Sequence, residues 1–162
     1  MFYLELFRTL NQHHVRYLLV GGVAMNLHGV PRMTMDIDLM LALDRENLSR
    51  FSQAGAQLNL QPVLSVPVSD FLDPIKRAGW INERHMLAFA LRGSNPSAPT
   101  VDILINPVIS FDAAYARRLI RNVGDTPISL AHVNDLIALK SAANRAQDQA
   151  DILHLRKLSQ DV

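Results

Sequence analysis

The sequence contains no cysteine, which excludes disulfide bonds, thiolate metal sites and a cysteine nucleophile. This composition fits a protein of the reducing cytoplasm, and we expect a cytoplasmic localisation. The chain also lacks an excess of charge of one sign, because its formal net charge is +1. It therefore offers no global attraction for nucleic acid or anionic membranes, and any polynucleotide must be held by a local patch.

A long apolar run is also missing from the N-terminal segment, because Glu5 and Arg8 interrupt it. The segment lacks the core of a signal peptide or a membrane span, so we expect no membrane partner. Phe2, Leu6 and Leu10 recur at helical spacing and predict an amphipathic helix.

No linker, repeat or low-complexity tract divides the 162 residues, which predicts a single domain over residues 1–162. Strands are predicted at residues 15–20, 34–41, 58–66, 86–91, 101–105 and 127–130, the last at a sheet edge. Further helices are predicted at residues 23–27, 45–53, 69–77, 110–121, 132–144 and 147–158. A polar loop joins residues 86–91 to residues 101–105, so these two strands are expected to pair antiparallel.

The most informative feature is Val20-Gly21-Gly22, followed after a gap of thirteen residues by Asp36-Ile37-Asp38-Leu39. A glycine pair lets the backbone turn sharply and approach a ligand, and the N–H groups of a helix that begins there point at an anion. Residues i and i+2 of a strand share a face, so Asp36 and Asp38 would direct their carboxylates at one point. Such oxygen ligands suit Mg²⁺ or Mn²⁺, which can bind substrate phosphates.

Asp102 lies inside the predicted strand at residues 101–105, where a charge needs a partner. A cation shared with Asp36 and Asp38 would remove the cost of burying it. We interpret Asp102 as a third acid that binds a second metal ion, ~3.5 to 4 Å from the first, and accepts a proton from an attacking hydroxyl. The alternative is an acid that faces solvent.

Three further side chains are candidates for nucleotide binding. Arg32 could neutralise a triphosphate, and Thr34 shares a strand face with the aspartates. Lys140 lies on the apolar stripe of its helix, so its ammonium meets either a nucleotide phosphate or the carboxylates, or else reaches water while its stem packs.

Other charged residues favour structural roles. Arg145, Asp148 and Asp151 are predicted to form a salt-bridged junction between helices, where acids near a helix start are favoured. Three arginines are predicted on one helix, as a solvated face rather than an RNA contact: Arg117, Arg118 and Arg121.

Together these motifs resemble the nucleotidyltransferase fold of the DNA polymerase beta superfamily. Its signature is an apolar residue with Gly-Gly or Gly-Ser, then Asp-apolar-Asp, and a later lone acid on a neighbouring strand. The segments Gly21-Gly22-Val23-Ala24 and His28-Gly29, with the pattern from Asp135 through Lys140 to Asp151, are similar to small bacterial nucleotidyltransferases related to abortive-infection and toxin-antitoxin proteins.

The resemblance implies an α/β (α+β) nucleotidyltransferase fold, a mixed sheet flanked by helices with helices at the C-terminus. It implies Mg²⁺ (or Mn²⁺) on the catalytic residues Asp36, Asp38 and Asp102, and the triphosphate of an NTP on Gly21 and Gly22. Arg32, Thr34 and Lys140 complete the predicted nucleotide site. Asp102 would help to deprotonate an acceptor hydroxyl, which attacks the α-phosphate and expels pyrophosphate. The acceptor is left open among an RNA end, a protein side chain and a small molecule.

One departure from the signature favours a second hypothesis. Gly22 stands where many active transferases have serine, so a hydroxyl contact to phosphate is missing. The alternative function is a catalytically silent module that binds a protein partner, a cognate antitoxin or toxin. A metal-dependent nuclease is disfavoured, because no histidine or lysine adjoins the acids in sequence.

Overall fold

A seven-stranded mixed sheet and eight helices form the part of the chain that the computed structural model describes, residues 2–160. Met1, Asp161 and Val162, which the predicted 1–162 domain includes, lie outside the described residues, and the single domain stays a prediction. The helices are α1 Phe2–Gln12, α2 Gly21–Leu27, α3 Arg45–Gln57, α4 Val68–Phe71, α5 Pro74–Arg84, α6 Phe111–Ala116, α7 Val133–Ala143 and α8 Ala146–Gln160. The strands are β1 Tyr17–Val20, β2 Ile37–Leu41, β3 Gln61–Pro62, β4 Ala88–Arg92, β5 Val101–Leu104, β6 Leu119–Val123 and β7 Thr126–Leu130.

The strand order across the sheet is β3-β4-β5-β2-β1-β7-β6. Strand β2 pairs antiparallel with β1 and parallel with β5, while β1 pairs parallel with β7. The two strands associated with the predicted acids, β2 and β5, are therefore neighbours in the middle of the sheet. This mixed sheet, flanked by helices with α7 and α8 at the C-terminus, confirms the predicted fold class.

A continuous apolar core holds the middle strands in place. All four residues of β1 are buried, and the fully buried side chains include Tyr17, Phe7, Phe51, Phe71, Phe89, Ile37 and Leu39. Each buried Leu, Ile or Phe contributes about 1.5–3 kcal/mol relative to an exposed one. Trp80 belongs to the same core, where its ring stacks on Phe89 with 5.2 Å between centroids. Asp38 and Asp102 are thus carried by strands that have a neighbouring strand on both sides.

Several local predictions are confirmed. Helix α1 buries Leu6 and Leu10 as its spacing predicts, and β4 and β5 form the expected antiparallel pair. The two C-terminal helices begin and end within two residues of their predicted limits. Within residues 2–160, every helix is too short or too polar to cross a bilayer.

The predicted helix at residues 110–121 is wrong in its second half. Helix α6 ends at Ala116, and residues 119–123 form β6, which pairs with β7 across a tight turn at Gly124 and Asp125. Gly124 has φ +62°, which suits such a hairpin turn. As a result β6 is the sheet edge, and β7, predicted at an edge, lies between β1 and β6.

Two further predicted elements are shorter or divided. The strand predicted at residues 58–66 reduces to Gln61–Pro62, which pairs with β4. The helix predicted at residues 69–77 is two helices, because Pro74 begins a new helix that Asp73 caps through the Ile75 N–H.

Strand β2 begins at Ile37 rather than at Thr34. The first ladder hydrogen bond on this side runs from the Ile37 N–H to the Thr100 carbonyl at 2.9 Å. Met35 is 71% exposed, since it precedes the paired part of the strand. Asp36 is therefore the residue immediately before β2.

Candidate active site

The glycine turn and the second aspartate are in direct contact. Gly21 begins α2 with φ +71°, a conformation that other residues rarely adopt. A Cβ placed on Gly21 would lie 2.0 Å from Oδ2 of Asp38, because the carboxylate lies against the glycine. The two parts of the sequence motif are thus in contact, and glycine at position 21 leaves space for the Asp38 carboxylate.

Asp38 and Asp102 are direct partners across the parallel pair β2 and β5. Partners in register project from the same face of a sheet, so the two carboxylates lie side by side. Asp36 joins them through Thr100, whose hydroxyl lies 2.9 Å from Oδ1 of Asp36 and 3.1 Å from Oδ1 of Asp102. The structure thereby groups the three predicted acids at one place on the sheet.

The protonation of these acids reflects their crowding. Burial and the nearby carboxylates of Asp102 and Asp36 together raise the pKa of Asp38 to about 6, against Arg145 and Lys140, which lower it. Burial also raises the pKa of Asp102, although the hydrogen bond from Thr100 opposes this shift. Both pKa shifts indicate that negative charge is concentrated at a partly buried position.

This excess charge and an oxygen-only donor set fit a hard cation such as Mg²⁺ or Mn²⁺. A cation beside Asp38 would remove the cost of keeping this buried carboxylate ionised. Among residues 2–160, however, no three His, Asp or Glu side chains converge closely enough to form a preassembled metal cluster. Asp36, Asp38 and Asp102 stay predicted metal ligands.

A cavity of about 440 Å³ opens beside Asp38. Its polar lining consists of Asp38, Lys140 and Arg145, with the backbone of Gly21. Its apolar lining comes from Val20, Leu87, Leu104, Leu136, Leu139 and Ala143. Helix α7 therefore places its lysine in the cavity wall that also contains the central aspartate.

The cations near this cavity are held by two acids of α8. Asp151 accepts hydrogen bonds from the Lys140 ammonium at 2.9 Å and from the Arg32 guanidinium. Asp148 is fully buried and accepts from the backbone N–H and the guanidinium of Arg145. The predicted junction is therefore divided: Arg145 pairs with Asp148, whereas Asp151 pairs with Arg32 and Lys140.

Thr34 lies on a different side of the glycine pair. A Cβ on Gly22 would lie 2.7 Å from the Thr34 Cβ and 2.8 Å from its hydroxyl oxygen, so Thr34 fills the space that a side chain at position 22 would need. Thr34 also lines a second cavity, of about 300 Å³, together with residues of α1 and α2. The structure does not bring Thr34 into the cavity beside Asp38, and its nucleotide contact stays a prediction.

The other candidates lie outside this group. Arg117 makes a two-pronged ion pair with Asp135, and the Arg118 guanidinium lies 3.8 Å above the Tyr115 ring. Arg121 is in β6, so the three arginines do not share one helix. His28 donates from Nε2 to the Ala131 carbonyl at 2.9 Å, which is a structural role.

Thr100 is the site residue that the sequence interpretation missed. Its position was readable, because Thr100 and Asp102 are two apart and so share a strand face. The missing information was the register between β2 and β5, which brings Asp36 to the same hydroxyl.

Comparison with known proteins is consistent with this geometry. No curated protein matches the chain. The family model described as nucleotidyl transferase AbiEii toxin, type IV TA system, matches residues 5–161. That match covers nearly all of the chain and includes every predicted site residue. The chain therefore belongs to the AbiEii nucleotidyltransferase toxin family of type IV toxin-antitoxin systems.

Proposed function

We propose that this protein is a Mg²⁺-dependent nucleotidyltransferase that moves a nucleoside monophosphate from an NTP to a hydroxyl acceptor. The observation that carries the proposal is the arrangement of Asp38 and Asp102 in register, joined to Asp36 by Thr100, beside a cavity with Lys140 in its wall. Family membership supports transferase chemistry in a toxin-antitoxin setting and implies a cognate antitoxin.

The acids supply the anionic side of the site. Bound Mg²⁺ would neutralise phosphate charge and lower the barrier to displacement at the α-phosphorus. Asp36, Asp38 and Asp102 would hold it through carboxylate oxygens. Asp102, on the neighbouring strand, accepts the proton of the acceptor hydroxyl.

The cations and the glycine turn supply the other side. Lys140 and Arg32 attract the triphosphate, and Gly21 lines the cavity beside Asp38 that would hold it. In the reaction the acceptor O–H bond breaks and a new O–P bond forms at the α-phosphorus. The bond from that phosphorus to the pyrophosphate oxygen breaks, and pyrophosphate leaves with the electron pair.

The test is transfer of label from each of the four α-³²P-labelled NTPs, with Mg²⁺, to total RNA and to proteins and small molecules of a cell lysate. We expect label on one acceptor class, which also decides among the three acceptors. Removal of metal with EDTA abolishes transfer, and added Mg²⁺ or Mn²⁺ restores it.

Asp38→Asn and Asp102→Asn are the informative variants, because each keeps the side-chain size and removes one charge. Each should lower transfer at least about a hundredfold, the scale of a lost electrostatic contact to the reacting group. Asp112→Asn, an exposed residue of α6, is the matched control with the same change in net charge. Transfer by Asp38→Asn equal to that of the native protein would reject the proposal, and so would no transfer by the native protein, which would favour the silent binding module.

A further inference from the structure

Three separate parts of the chain meet at one carboxylate oxygen. Oδ2 of Asp151, in α8, accepts from Lys140 of α7 and from Arg32, which lies in the irregular segment between α2 and β2. Arg32 and Asp151 are 119 positions apart in sequence. A carboxylate of the last helix thus fixes two cations that come from different elements.

The burial of these side chains makes the contact with Asp151 important for the position of the cations. The Lys140 side chain is 8% exposed and that of Asp151 is 14% exposed. Charges this far from water are costly unless they are paired, so neither can turn freely towards solvent. Asp148, whose Oδ1 lies 3.7 Å from the Lys140 ammonium, is a weaker second partner.

Each cation keeps hydrogen-bond donors that Asp151 does not use. An ammonium has three donors and a guanidinium has five. Among the described residues, Arg32 uses Nη1 towards Asp151 and the Met25 sulfur, and its other donors make no hydrogen bond. Lys140 lines the cavity that also contains Asp38 and Gly21. The remaining donors of Lys140 are therefore available to an anion in that cavity, and Arg32, which is not part of the cavity lining, is tied to it through Asp151.

We propose that Asp151 is a positioning residue, which holds Lys140 and Arg32 so that their remaining donors face the triphosphate of the nucleotide. This inference rests on the proposed function. Asp151 touches neither nucleotide nor metal and acts through the two cations. Helix α8 contributes no side chain to the cavity lining. Through Asp151 it nevertheless supports the nucleotide site.

If Asp151 obstructed the site instead of positioning the cations, its removal would have the opposite effect on phosphate binding. If Asp151 obstructs the site by occupying the cations, its removal strengthens phosphate binding, because one negative charge near the triphosphate disappears. If Asp151 positions the cations, its removal weakens binding, because Lys140 moves towards Asp148 and Arg32 loses its carboxylate partner.

The experiment measures binding of Mg²⁺-tripolyphosphate by calorimetry, since this probe reports the phosphate site without a base. It also measures kcat and KM with the NTP that the native protein transfers best. For Asp151→Asn we expect about tenfold weaker binding and an equal rise in KM, the scale of one lost charge-assisted contact, with kcat within about twofold of native. Asp151→Glu, which keeps the charge, restores part of the affinity, and Asp112→Asn changes neither quantity.

Arg32→Gln is the second variant, because it leaves the Lys140–Asp151 pair intact if Asp151→Asn folds poorly. It should also weaken tripolyphosphate binding, and the double variant should lose less than the two single losses combined. Stronger binding by Asp151→Asn, or unchanged binding and KM with a lowered melting temperature, overturns the positioning role alone. Absence of NTP binding by the native protein overturns the proposed function, and this inference with it.

Discussion

The carboxylate of Asp38 lies directly against the backbone of Gly21, so that a methyl group at position 21 would come within 2.0 Å of Oδ2. Two constraints coincide at this glycine. Its φ is +71°, and the Asp38 carboxylate occupies the space where a Cβ would lie. The turn at Gly21 and strand β2 are therefore one packed unit, and a change in either displaces the other.

Gly21→Ala should separate these two constraints when it is compared with Gly124→Ala. Gly124 has a similar φ of +62° and no atom within 4 Å of an added Cβ, so its replacement costs backbone strain alone, about 1–2 kcal/mol. Gly21→Ala adds the displacement of Asp38, about 1–3 kcal/mol more, and abolishes transfer. Urea denaturation and the labelled-NTP assay measure both effects. Equal destabilisation of the two variants would show that Asp38 does not pack against Gly21.

Gly22→Ser tests whether the serine of other transferases would improve this site. The new Cβ would lie 2.7 Å from the Thr34 Cβ, so we expect a loss of about 1–3 kcal/mol in the free energy of unfolding and no gain in transfer. The double variant Gly22→Ser with Thr34→Gly removes the collision and should be more stable than Gly22→Ser with Thr34→Ser, which retains the Cβ. This prediction is contradicted if Gly22→Ser alone has the same urea midpoint of unfolding as the native protein.

Thr100→Val should weaken metal binding without altering the fold, because valine has the shape of threonine but lacks the hydroxyl that joins Asp36 to Asp102. Loss of such an orienting contact typically costs about 10–100-fold in metal affinity. Mn²⁺ titration followed by electron paramagnetic resonance measures it. Thr100→Ser keeps the hydroxyl and should bind Mn²⁺ as the native protein does. Equal losses of Mn²⁺ affinity in the two variants would show that the hydroxyl does not support metal binding.

His28 should lower the stability of the fold as the pH falls from 7.5 to 5.5. Burial lowers the pKa of His28 from its usual value of 6.5, although its hydrogen bond to the Ala131 carbonyl opposes the shift. The unfolded chain thus binds the proton more readily, so this contribution is present above about pH 6.5 and is lost as the pH falls. His28→Gln, which can still donate to that carbonyl, should show a smaller drop in melting temperature over this range. A drop as large as in the native protein would assign the pH dependence to other groups.

Much of the site was predictable because its signals are local. The alternation around Asp38 and the glycine pair each lie within a few consecutive residues, and strand periodicity alone places Asp102 within β5. The bridging role of Thr100 and the pairing of Arg32 with Asp151 depend on register and on contacts between distant segments, which periodicity does not encode. The end of helix α6 was missed for a related reason: residues 117–123 suit a helix locally, and their pairing with β7 decides the strand.

The sheet order also sets when the site is complete during synthesis. Asp36 and Asp38 leave the ribosome early, but β2 gains its neighbour β5 after a long delay, since Thr100 follows Asp36 by 64 positions. Lys140 and Asp151 come later still in the sequence. A nascent or prematurely terminated chain thus carries the first two acids without the groups that align them. The proposed toxic chemistry therefore requires a chain that has been synthesised at least as far as Asp151.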